Sequence, residues 1–262
     1  MKVGIVQFRP VLGEEWRNFE RVRRLIAPVD ADLFVLPELF GSGYLFRDRA
    51  EMIAHAETFP NGRTLSFMQK LAEEKDCAIV GGFPEVAEDK LYNSAVFIAP
   101  EEKPVLYRKI HLFNTEKFIF DAGDMPFPII EFRGAKIGMM ICFDWIFPES
   151  YRTLAIRGAD IVCHMTNLVL PYCQKASYAH AVSNHIFIML ANRTGADVNA
   201  GERIEFTGGS IAYSPDGKVL GKLNETEEAV LTVEFEPEIA RNKFVTQHND
   251  VISDRRPEFY DI

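Results

Sequence analysis

No two of the four cysteines (Cys77, Cys142, Cys163 and Cys173) form a CxxC pair, and none shares a metal-ligand spacing with the six histidines. That leaves free thiols in a reducing compartment, so the expectation is a cytoplasmic protein without a bound metal. No apolar run approaches the ~18 residues that read as a membrane span. The opening MKVGIVQFRP carries one lysine and then a short strand pattern, without the apolar core and small-residue cleavage site of a secretory signal. Excess positive charge is missing as well. At a net charge of −9 the chain is a poor match for nucleic acid or an anionic membrane, both of which select clustered Lys and Arg. There is also no Pro/Ser-rich linker, low-complexity tract or composition shift. Residues 1–262 therefore read as one domain, with a polar, weakly periodic tail (about 243–262) that lies on the surface or at a subunit interface.

What is present is an ordinary core-forming composition, 47% apolar and 26% charged. Short apolar runs alternate with helical spacing: strands at 3–8, 31–38 (broken by Pro37), 77–83, 91–99 and 104–107, with helices at 14–26 and 65–74. The last three of those strands suggest a meander. A second series follows, with strands at 127–132, 135–142, 159–165 and 185–193 and helices at 148–157 and 174–183. Pro215-Asp216-Gly217 predicts a turn between two further strands, and 227–235 closes the series. The fold class is α/β, with more strands than one layer accommodates and helices covering the faces.

Three strands end on a chemically capable residue: FVLPEL on Glu38, VLYRKIHLF on Lys109, with Glu116 seven residues on, and IGMMICFDW on Cys142. Each alone has a bland reading: a solvated carboxylate, a surface cation, a buried filler thiol, a helix-start glutamate. Together they suit one chemistry. A carboxylate whose pKa is raised by burial and by a second carboxylate can take a thiol proton. An ammonium favours the thiolate and stabilises the oxyanion formed when sulfur attacks a carbonyl, and the backbone N–H of Phe143 is a second oxyanion donor. Asp144 and Trp145 are read as shaping the turn and pocket wall, and His111, His164 and Cys163 as structural. Tyr44, Phe113 and Asn167 are read as pocket residues. Phe40, Phe46 and Phe118 hint at an aromatic, fairly closed site, and Cys173 is a candidate lining residue.

LPELF, YRKIHLF and MMICFDWIFPE resemble the three signature regions of the nitrilase-type carbon–nitrogen hydrolase superfamily. The likeness continues through HMTNLVLP, IFIMLANRTG, FTGGSIAYSPDGKVL and RRPEFY, over nearly the whole chain. The resemblance implies a four-layer αββα sandwich, paired protomers and no organic cofactor or metal. It matches Glu38 to the general base, Lys109 to the oxyanion-stabilising cation, Cys142 to the nucleophile and Glu116 to the second glutamate. One departure is His180-Ala181-Val182-Ser183-Asn184, where the family often has Arg-Ala-x-Glu-Asn. The implied activity is hydrolysis of a small carboxamide through a cysteine thioester. A nitrilase acting through a thioimidate and a carbamoyl-amide hydrolase use the same residues. A non-catalytic scaffold relative would be expected to have lost one of them, and none is lost.

Overall fold

The computed structural model describes residues 1–260; the last two residues of the tail lie outside the described residues. The first half carries β1 (Lys2–Gln7), α1 (Glu15–Ile26), β2 (Leu33–Val35), α2 (Arg49–Ile53), α3 (Arg63–Lys75), β3 (Ala78–Ala87), β4 (Lys90–Ile98), β5 (Val105–Arg108) and α4 (Glu116–Ile119). The second carries β6 (Ile129–Phe132), β7 (Ala135–Ile141), α5 (Pro148–Ile156), β8 (Ile161–Thr166), α6 (Cys173–Asn184) and β9 (Phe187–Asn192). Then come β10 (Ala196–Asn199), β11 (Glu202–Glu205), β12 (Ile211–Tyr213), β13 (Val219–Lys222), β14 (Ala229–Glu234), β15 (Phe244–Thr246) and β16 (Asn249–Asp250).

Two six-stranded sheets result, in the orders β14-β1-β2-β3-β4-β5 and β13-β12-β9-β8-β7-β6. β1, β2 and β3 run parallel, as do β7, β8 and β9, with antiparallel strands outside each trio. The expected meander is β3-β4-β5, antiparallel throughout. The closing strand returns to pair with β1, Lys2 opposite Glu234.

The near-continuous apolar strands follow from both sheet faces being covered. Along the first sheet, alternate side chains serve two cores. Val3, Ile5, Leu33 and Val35 face the second sheet, while Val6, Phe8, Phe34 and Leu36 join Phe19, Val22 and Met68 of α1 and α3. On the second sheet, α5 and α6 cover the opposite face through Tyr151, Leu154 and Ala181. The layers are thus helix, sheet, sheet, helix, the expected αββα sandwich. Each buried Val, Leu or Phe contributes about 1.5–3 kcal/mol before entropy is charged against it.

β2 is shorter than its apolar run suggests because Pro37 has no N–H for the ladder. That early stop releases Glu38 from the sheet. The β10–β11 hairpin was not expected, since ADVNAGERIE lacks strand alternation; its turn is built on Ala200 and Gly201, both at positive φ. In the tail, β15 and β16 form a small hairpin whose Phe244 and Val245 are exposed. No described helix is long and apolar enough to cross a membrane.

Candidate active site

Glu38, Lys109 and Glu116 come together away from solvent, each at most 3% exposed. Lys109 Nζ donates to Glu38 Oε1 at 2.7 Å and to Glu116 Oε1 at 2.8 Å. Asn93 Nδ2 donates to the same Glu38 oxygen at 2.7 Å, and the Asn93 carbonyl accepts the Lys109 N–H. Glu38 Oε2 is buried and has no hydrogen-bond partner. It is therefore the oxygen left available as a base. Two close backbone approaches make this possible. A Cβ on Gly82 of β3 would lie 2.6 Å from the Leu39 nitrogen and 2.9 Å from the Glu38 Cα. A Cβ on Gly123 would lie 2.2 Å from the Arg108 carbonyl oxygen. Only glycine lets these chains pack against the segments that carry Glu38 and Lys109.

Cys142 stands where β7 ends and a short 3₁₀ turn, Cys142–Ile146, begins, with φ +40°. A side chain in the left-handed region is strained by about 1 kcal/mol or more, so surrounding contacts must hold it there. Asp144 does part of this. Its Oδ2 accepts the Ile141 N–H at 2.9 Å and the Tyr107 O–H at 2.7 Å, and its Oδ1 accepts from the His111 backbone and ring. Tyr107 and His111 lie two residues either side of Lys109. One buried carboxylate thereby ties the strand end bearing the cation to the strand end bearing the thiol.

Burial pushes the Cys142 thiol well above its ordinary value; Glu38 adds to this, while Lys109 and the Asn167 backbone N–H, which bonds the sulfur, pull against it. The resting residue is a neutral thiol, although an ammonium stands nearby. Burial likewise raises Glu38, Lys109 opposes it, and the like charge of Glu116 raises it further. For Lys109 burial works against the charged form, but Glu116 and Glu38 outweigh it and the pKa is raised. The site therefore pairs a proton-bearing thiol with a carboxylate made more basic, under a permanent cation.

Among the other sequence-predicted residues, Tyr44 donates its O–H to Glu116 Oε1 at 2.8 Å, and Phe113 offers its N–H to Glu116 Oε2 at 2.9 Å. The Phe113 ring meets Phe143 edge-on at 5.1 Å. Asn167 is 3% exposed, and both polar atoms of its side chain lack partners. Phe118 is a correction: it is 83% exposed on the outer face of α4, because the four-residue helix turns Ile119 and Glu116 inward instead. Phe40 packs at a tilt against Phe19 and Phe67 in the α1–α3 core, which takes its ring away from the expected pocket lining. Cys173 is fully buried on the inner face of α6 with Ser177 and Ala181, in the helix-covered layer of the second sheet, which removes it from the lining as well. Sequence reasoning passed over Asn93 and Tyr107. The signal for Asn93 was a polar residue inside the apolar run LYNSAVF. A groove of about 840 Å³ lies nearby, lined by Arg9, Pro171, Lys175, Phe206 and Lys222 among others. Its Phe206 meets the Tyr44 ring edge-on at 5.9 Å. Among the described residues no group of three or more His, Cys, Asp or Glu converges to hold a metal.

The family profile for carbon-nitrogen hydrolase matches residues 2–242. A nitrilase of Pyrococcus abyssi is 41% identical over 263 residues, spanning 99% of both chains. An (R)-stereoselective amidase of a Pseudomonas species is 33% identical over 98% of this chain and 92% of its own. An N-carbamoylputrescine amidase of Arabidopsis thaliana is 30% identical over 93% and 87%. The crystal structure of an amidase from a Nesterenkonia species superposes with a TM-score of 0.80 at 25% identity, over 98% and 94% of the two chains.

Proposed function

The chain belongs to the carbon–nitrogen hydrolase family, and on that premise we propose that it hydrolyses a small carboxamide to a carboxylate and ammonia through a thioester on Cys142. The reading rests on one observation: a buried Lys109 bridges two carboxylates, one of which keeps an oxygen free. Glu38 Oε2 takes the thiol proton as sulfur bonds to the amide carbon. Because the resting thiol is neutral, proton transfer and attack belong to one step. Lys109 and the Phe143 N–H stabilise the oxyanion. The proton on Glu38 then passes to nitrogen, the C–N bond breaks and ammonia leaves. Water, deprotonated by the same carboxylate, attacks the thioester; the C–S bond breaks, the acid departs and Glu38 returns the proton to sulfur. Glu116 orients the substrate nitrogen, with Tyr44 and Phe113 fixing its two oxygens. Asn167, with an unpaired donor and acceptor, meets polar groups of the substrate.

A second reading, nitrile hydrolysis through a thioimidate, draws on the 41% identity to the Pyrococcus abyssi nitrilase. Offering the protein an aliphatic amide, a dinitrile and an N-carbamoyl amine, with ammonia and acid assayed, separates the cases. Acid from the nitrile alone would remove the amidase reading.

Chain 1–262 acts in this proposal as one domain of a cytoplasmic homo-oligomer, a dimer or larger. Exposed Ile156 and Tyr178 on α5 and α6, with Phe244 and Val245 of the tail, supply apolar surface for pairing. Sedimentation equilibrium tests it, and a monomer at micromolar concentration would refute it.

A further inference from the structure

His164 sits in β8, fully buried, inside the apolar run IVCHM. Its Nε2 lies 2.9 Å from the carbonyl oxygen of Cys142. A carbonyl can only accept, so Nε2 carries the hydrogen. Burial holds the ring down to about 4, so at neutral pH it is uncharged and Nδ1 is an acceptor. Nδ1 receives the Tyr151 O–H at 2.9 Å. The Tyr151 ring in turn lies flat against His180, with centroids 4.5 Å apart and planes at 20°. This run of groups ends on the carbonyl of a residue at φ +40°.

The peptide unit from Cys142 to Phe143 is planar and trans, so its N–H points opposite to its C=O. Gripping the Cys142 oxygen from the β8 side therefore fixes the direction of the Phe143 N–H. That N–H belongs to the first turn of the 3₁₀ segment, where backbone donors have no intrahelical partner. We propose that His164, backed by Tyr151 and His180, is a positioning residue that aims the Phe143 N–H at the reaction oxyanion. The relay runs from the α5–α6 layer to the reacting peptide. His180 is also the residue at which this chain departs from the common Arg of the family helix. The hydrogen bond to the carbonyl polarises the same amide and makes its N–H a stronger donor. The assignment rests on the reading of Phe143 as an oxyanion donor.

The test compares three reactions at Cys142. Amide turnover forms an oxyanion. Reversible addition of butyraldehyde also places an oxygen there, as a hemithioacetal in which sulfur bonds to carbon and the thiol proton passes to oxygen. Displacement of iodide from iodoacetamide forms none. In His164→Leu, kcat is expected to fall about 10- to 100-fold with KM nearly unchanged, less than the roughly 10²–10³-fold of losing an oxyanion donor outright because the N–H is misaimed and still present. Butyraldehyde protection should weaken by about 10-fold or more, while alkylation stays within about twofold. His164→Gln, which keeps a donor for the carbonyl, should recover most of the loss. Tyr151→Phe, a smaller change that preserves packing, should show the same split in milder form. Alkylation falling in step with turnover, or unchanged kcat and aldehyde affinity, would overturn the proposal. If the wild-type protein hydrolyses neither amides nor nitriles, the functional reading fails, and the aldehyde measurement still decides the role of His164.

Discussion

The two sheets are built alike and used differently. Read from β14 and from β6, each runs antiparallel, parallel, parallel, antiparallel, antiparallel. β2 in the first occupies the place of β8 in the second, and β1 the place of β7. The first sheet delivers the charges: Glu38 beyond β2 and Lys109 beyond β5, both immobilised by ion pairs. The second delivers the Cys142 thiol beyond β7 and neutral donors at β8, namely His164 and the Asn167 N–H. β1, the counterpart of β7, is followed by Phe8 and Arg9 and brings no thiol. Equal topology thus fixes where residues can meet, while the residue at each strand end decides what happens there. Keeping the charges on one layer lets them order one another before a substrate arrives, and keeping the thiol on the other lets it stay neutral.

The largest break in this division is removal of the Cys142 thiol. Cys142→Ala is expected to cost on the order of 10⁴-fold or more in kcat while the fold persists, measured by ammonia release beside circular dichroism. Lys109→Met attacks the first sheet instead and leaves two buried carboxylates facing each other. It should lower stability by about 3–5 kcal/mol in urea unfolding as well as abolishing turnover. Asp144→Asn loosens the tie between the layers; a loss of about 1–3 kcal/mol is expected, with kcat falling more than KM rises.

Acidification, compared between the wild type and His164→Gln, isolates one buried ring of the second sheet. Above pH 6.5 the His164 ring is neutral in folded and unfolded chains. Between 6.5 and about 4 the unfolded chain binds a proton that the folded chain refuses, so stability falls as pH drops and the loss levels off below about 4. From pH 7 to 5 the wild type should lose about 2 kcal/mol more than His164→Gln. The smallest effect is expected from Tyr44→Phe, about 0.5–1.5 kcal/mol from one hydrogen bond to Glu116. A larger loss than that of Asp144→Asn would place the organising centre in the first sheet.

Much of this was legible from residue order. Strand ends at Glu38, Lys109 and Cys142 stood out because apolar runs stopped on reactive side chains. The Pro215-Asp216-Gly217 turn and the β3-β4-β5 meander followed from local chemistry. What stayed hidden depends on distance along the chain. His164 looks like any core residue in IVCHM, and nothing local shows its ring meeting a carbonyl 22 residues earlier. Asp144 read as a turn residue because Tyr107 and His111 reach it only after both sheets pack. Phe118 misled because an aromatic beside a catalytic motif is ambiguous until the short helix sets its phase.

Lys109 shared between Glu38 and Glu116 leaves that cluster with one more negative charge than positive. A neutral amide enters such a site without electrostatic penalty. The acid formed there is an anion lying against two carboxylates with one ammonium between them, and it is repelled. In the proposed reaction turnover accordingly gains a direction: the charge arrangement proposed to deprotonate water also clears the product, so the released acid should inhibit weakly even at concentrations where the amide saturates.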